Sequence, residues 1–106
     1  MSWDDFRTEV VQSLQGVPSF ACTAMGKGHG LLSGATFFGM IERGRLYFRV
    51  DDESRPAYEA AGCGPFRVKG GLVENYYEVP FEVREDPLVL REWANLAILA
   101  AEQKPA

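Results

Sequence analysis

The chain has 106 residues, 46% of them hydrophobic and 25% charged, with a net charge of −4 and a pI near 4.9. That length can bury a core without disulfides or metals to hold it together, and one domain spanning residues 1–106 is expected. The acidic balance excludes a protein that grips nucleic acid with its whole surface, because phosphate binding is mainly electrostatic.

The chain opens on Met1-Ser2-Trp3-Asp4-Asp5, which lacks the positive region and apolar stretch of a secretory signal, so a cytoplasmic protein is expected. Trp3, Phe6, Val10 and Leu14 then recur at spacings of three and four and predict a helix with one apolar stripe. Ser2 is placed to cap it, Asp4 and Asp5 suit its first turn, and Gly16 with Pro18 ends it.

Gly26, Gly28, Gly30 and Gly34 crowd the next stretch, which argues for a turn or for backbone passing close to something else; any strand between Phe20 and Gly34 is expected to be short. Thr36–Ile41 and Arg45–Val50, joined by Glu42-Arg43-Gly44, predict a β-hairpin. Side chains alternate along a strand, so Leu46, Phe48 and Val50 should face the core while Arg45, Tyr47 and Arg49 face solvent.

Ser54 and Pro56 signal a short helix that Gly62 stops. Pro65–Lys69 and Leu72–Val79, separated by Gly70-Gly71, predict a second hairpin. Asp86-Pro87 opens a last helix, with Val89, Trp93, Leu96, Ala97 and Ala100 on its expected core stripe. The result is an α+β fold: an antiparallel sheet of four to five strands, with helices at the N-terminus, in the middle and at the C-terminus.

The longest strongly apolar run, Trp93–Ala101, is about half of what a bilayer span needs, so no membrane contact is expected. Cys22 and Cys63 lack the spacing of a redox pair or a zinc site and are expected as buried or half-buried thiols. Charge is uneven along the chain: residues 1–42 sum to −2, residues 43–69 to +2 and residues 70–106 to −4.

Within the basic middle, Arg43, Arg45, Tyr47, Arg49, Arg67 and Lys69 form a cluster with an aromatic among the cations. Such a face suits an anion or nucleic-acid contact with tyrosine stacking, or cross-strand pairing with Asp51, Asp52 or Glu78. Lys27, Gly28, His29 and Gly30 suggest an anion loop, but the stretch lacks the Lys-Ser/Thr ending of a P-loop, and a strand follows it rather than a helix. His29 is the sole histidine and has no polar partner identifiable from the sequence. The last helix is apolar around more of its circumference than a core stripe requires, so Leu90, Trp93, Ile98 and Leu99 are candidates for a homodimer interface.

The ordered set Gly28-His29-Gly30-Leu31, Phe37-Phe38-Gly39-Met40-Ile41, Gly44-Arg45-Leu46-Tyr47-Phe48-Arg49-Val50-Asp51, Tyr58-Glu59-Ala60-Ala61-Gly62, Pro65-Phe66, Tyr76-Tyr77-Glu78-Val79-Pro80 and Asp86-Pro87 resembles the N-terminal domain of the TfoX/Sxy proteins. The likeness covers nearly the whole chain. It implies a regulatory role of the kind those proteins have in bacterial competence, carried by a stand-alone N-terminal module. The loop at Met25 departs from the family pattern, with Thr23-Ala24 before it and Gly26-Lys27-Gly28 after it. The expected function is that of a non-catalytic binding module acting through protein contacts, with no cofactor and with nucleic-acid contact at most weak or indirect. The alternative is a small ligand-binding domain or enzyme with its pocket at residues 26–30.

Overall fold

A computed structural model describes residues 2–103. In chain order the elements are α1 (Trp3–Ser13), β1 (Phe20–Met25), β2 (Gly28–Ser33), β3 (Thr36–Glu42), β4 (Arg45–Arg49), α2 (Arg55–Ala60), β5 (Pro65–Val68), β6 (Gly71–Glu78), α3 (Phe81–Arg84) and α4 (Pro87–Glu102). The strands form one antiparallel sheet in the order β1-β2-β3-β4-β6-β5. The α+β architecture is as expected, with six strands where four to five were predicted. The difference lies between Phe20 and Ser33, where glycines at Gly28 and Gly30 mask a full hairpin.

Those glycines are required by contact rather than by looseness. A Cβ on Gly28 would stand 2.2 Å from the Ile41 carbonyl oxygen, and one on Gly30 would meet the Phe37 ring at 2.6 Å. The β1–β2 turn is therefore confined to Gly26, at φ +55, and Lys27.

A second irregularity sets which aromatic faces the core. The β2–β3 register shifts between Leu31 and Leu32, leaving Phe38 as an extra residue in β3. A bulge of this kind puts two successive side chains on one side. Phe38 is consequently buried against Phe48, with ring centroids 5.7 Å apart, while Phe37 turns to the other face and meets Tyr76 at 5.9 Å.

The helices are placed by their ends. Ser2 Oγ accepts from the Asp5 amide at 3.2 Å and the Asp5 carboxylate accepts from the Ser2 amide at 3.4 Å, a reciprocal cap for α1. Asp86 Oδ1 accepts from the amides of Leu88 and Val89 and starts α4, with Pro87 at its first position. Arg91 of α4 donates to the Ser13 carbonyl at 3.2 Å, satisfying the C-terminal end of α1 and tying the two helices together.

Phe6, Val10, Leu14, Leu31, Phe38, Leu46, Phe48, Leu90, Ala94 and Ala97 join one buried cluster between the helices and the sheet. Trp3, expected on the core stripe of α1, is instead 64% exposed and lies over the β3–β4 turn, where a Cβ on Gly44 would come within 3.1 Å of its ring. In α4 the buried residues are Leu90, Ala94, Ala97, Ala100 and Ala101. Of the expected stripe, Ala97 and Ala100 are buried and Val89 and Trp93 pack half-buried against the core, whereas Leu96 is 53% exposed. The alanines set this face: small side chains let α4 approach β3 and β4 closely, so size as well as hydrophobicity selects what turns inward.

Candidate functional site

The basic strand does not present an open polar face. In β4, Leu46 and Phe48 turn to the core as expected, but Tyr47 on the opposite face is also buried, with Phe66 of β5 edge-on to its ring at 4.8 Å. Burial pushes the Tyr47 hydroxyl above the ordinary phenol range; the carboxylates of Glu78 and Glu42 add to this and Arg45 opposes it. Arg45 pairs with Glu78 across the sheet at 3.0 Å, the cross-strand alternative that the sequence left open.

Of the six predicted contact residues, four meet at one groove and two lie elsewhere. Arg43, Arg45 and Arg67 converge on a groove of about 540 Å³ whose floor is Tyr47 and Phe66 and whose wall includes Glu78. The Arg43-Gly44 turn, with both residues at positive φ, aims Arg43 into it. Arg43 and Arg67 make no ion pair among the described residues. Arg49 belongs elsewhere: its guanidinium lies 5.7 Å from the Tyr76 ring at the far end of β4, and its Nε is buried without a hydrogen-bond partner. Lys69 is an exposed residue just before the β5–β6 turn glycine and lines no groove with the others.

The predicted loop site at Lys27, Gly28, His29 and Gly30 is corrected. Lys27 is an exposed turn residue, whereas Gly28 is in β2 paired to Met25 of β1, and His29 and Gly30 are flanked by both β1 and β3, so these residues belong to the sheet ladders rather than to an open loop. His29 does have a polar partner. Arg7 Nη1 donates to His29 Nε2 at 3.0 Å, which fixes the proton of the neutral ring on Nδ1. The two residues are 22 positions apart, and no local pattern links them. They border an open groove of about 450 Å³ between α1 and β1, floored by Val11, Cys22 and Ala24.

The predicted helix interface is also redrawn. Leu90 is fully buried in the core, and Trp93 and Ile98 are half-buried against it, Trp93 packing on Tyr58 at 4.7 Å. Leu99 is open, and with Leu88 and Leu96 it makes up the exposed apolar part of α4.

Cys22 and Cys63 are free and half-buried as expected. Burial pushes both thiols up, with Arg7 opposing this at Cys22 and Glu78 and Glu82 adding to it at Cys63. Thiols held protonated in this way are poor nucleophiles. Among the described residues no group of three or more His, Cys, Asp or Glu is arranged to hold a metal. No described helix is long and apolar enough to cross a membrane.

The family model of the TfoX N-terminal domain matches residues 12–101. The chain belongs to the TfoX N-terminal domain family. The match spans the sheet and all of the helices after α1, so the ordered motifs of the sequence and the six-stranded fold describe one family unit. That family is of a regulatory, non-enzymatic type. A comparison with curated proteins returned no match.

Proposed function

We propose that this TfoX N-terminal domain is a non-catalytic binding module with a regulatory role, and that its partner is a protein presenting acidic side chains. The observation that carries the reading is the convergence of Arg43, Arg45 and Arg67 on one groove, with two of the three unpaired. Exposed guanidinium groups are suited to bidentate carboxylate contacts, and the apolar floor of Tyr47 and Phe66 adds buried area beneath them. Nucleic acid is a weaker fit. Tyr47 lies beneath Phe66 and offers no open ring for stacking, Glu42 and Glu78 line the same groove, and the chain as a whole is acidic.

The test is affinity purification from the cells that make the protein, comparing the natural chain with Arg43→Glu plus Arg67→Glu, followed by titration of any selectively lost partner. The expected result is a partner whose binding the double variant weakens by about tenfold or more at unchanged melting temperature. Equal recovery of every partner by both proteins would remove the groove from the reading.

A further inference from the structure

We infer that β1 is a self-pairing edge: two copies of the chain join β1 to β1, antiparallel about a two-fold axis at Cys22, making one continuous sheet. The inference is independent of the arginine groove, which lies toward the opposite end of the sheet.

Both outer strands of the sheet, β1 and β5, leave one row of backbone groups unpaired, but they are not equivalent. β5 has four residues, begins with Pro65, carries Arg67 and breaks register beside Pro65. Short length, proline, charge and irregularity are the devices by which proteins blunt an edge. β1, Phe20–Met25, has six residues in unbroken register with β2, and neither proline nor charge. It is the unblunted edge.

Which groups it offers follows from the ladder. The Gly34 amide donates to the Ser19 carbonyl at 2.9 Å, so Ser19 and Gly34 are a hydrogen-bonded pair. Antiparallel pairs alternate, which makes Ala21, Thr23 and Met25 the residues bonded to β2 and turns the N–H and C=O of Phe20, Cys22 and Ala24 outward. Because three evenly spaced residues point outward, the strand is complementary to itself. With the axis at Cys22, Phe20 faces Ala24 of the second copy, Cys22 faces Cys22, and all three outward residues are satisfied. Shifting the axis to Ala21 or Thr23 leaves one of them unpaired.

No like charges meet in this register. The positive φ of Ser19 and of Gly26 bounds the straight edge at both ends, so its length matches a second copy. The groove between α1 and β1 leaves the edge accessible on the helix side. A foreign strand would use the same amides, but the full symmetric register favours a second copy.

The experiment is sedimentation equilibrium on the full chain over a wide concentration range, with a dimer mass expected. Ala24→Pro removes an outward N–H while leaving the β1–β2 bonds intact, and Thr23→Lys places a charge beside the joint without touching the backbone. Each is expected to weaken association by about tenfold or more, with circular dichroism unchanged. In a Cys63→Ser background, copper-phenanthroline in air should trap a Cys22–Cys22 disulfide, since hydrogen-bonded antiparallel pairs hold their Cα atoms about 5.5 Å apart, within disulfide range. A monomer at every concentration overturns the proposal. So does a dimer that both variants leave intact, or one lost instead on Leu99→Glu. A dimer without the Cys22 cross-link overturns the register.

Discussion

At the residue scale, glycines and caps are where single atoms decide the outcome. Gly28→Ala drives a methyl group into the Ile41 carbonyl oxygen, so β2 and β3 must separate or twist. The expected loss is about 2 kcal/mol or more in urea unfolding, whereas Gly64→Ala, with nothing near its Cβ, should be close to neutral. Asp51 shows how a cap couples to pH. Its Oδ1 accepts from the Ser54 amide at 2.8 Å and the Glu53 amide at 3.0 Å, while Ser54 Oγ accepts from the Asp51 amide at 3.0 Å. The Ser54 amide is the main cause holding the Asp51 carboxyl below its ordinary value, ahead of the opposing effect of burial. A folded-state value below the unfolded one means that this stability is present above the ordinary carboxyl range and is lost as pH falls through the folded value. Asp51→Ala should therefore cost about 1 kcal/mol near neutral pH, with the difference from the natural chain shrinking as pH falls through the lowered folded-state value of Asp51.

At the scale of elements, α4 carries the largest contrast between hydrophobicity and burial. Leu90 and Leu99 are the same residue on the same helix, one fully buried and the other 52% exposed. Leu90→Ala should cost about 2–5 kcal/mol and Leu99→Ala less than about 0.5, measured side by side in denaturant unfolding. A helix interface built on Leu90 is excluded by the same numbers, because a side chain inside the core has no surface to offer a partner. The β4 strand makes the complementary point. Its alternation was readable, but alternation distinguishes two faces without saying that one of them is wet. Phe66 comes from a strand 19 positions later in sequence than Tyr47, and its arrival converts a tyrosine on the polar face into a buried one.

At the scale of the whole molecule, charge and partner choice are linked. The chain carries −4 overall while its exposed unpaired arginines gather at the groove, an arrangement that suits a local acidic contact better than a phosphate backbone. Fluorescence anisotropy with a labelled DNA duplex should find at most weak binding at low salt and none at about 0.15 M, because few cations face any one surface and their field is screened within about 8 Å. Tight binding that persists at that salt would require a nucleic-acid surface other than the groove. The half-buried thiols give a further check on the packing. Both should react slowly with a disulfide reagent near neutral pH and accelerate as pH rises beyond the ordinary thiol range of about 8.5.

The sequence by itself determined what local chemistry dictates. Ser2 and Asp86 start helices, Gly62 and Gly70 stop or turn the chain, alternation sorts Leu46 and Phe48 from Arg45, and the ordered motifs identify the family. These signals act over a few residues, within the reach of one turn or one hydrogen bond. Tertiary structure decided everything that depends on what arrives from far along the chain. It made the glycine-rich stretch a paired hairpin because β3 lies against Gly28, and turned Phe38 inward through a bulge. It gave His29 an arginine partner from α1, and split the six basic-strand candidates between a groove, a sheet end and a turn. Spacing along the chain sets which side of an element a residue occupies, but packing between distant elements sets whether that side is covered.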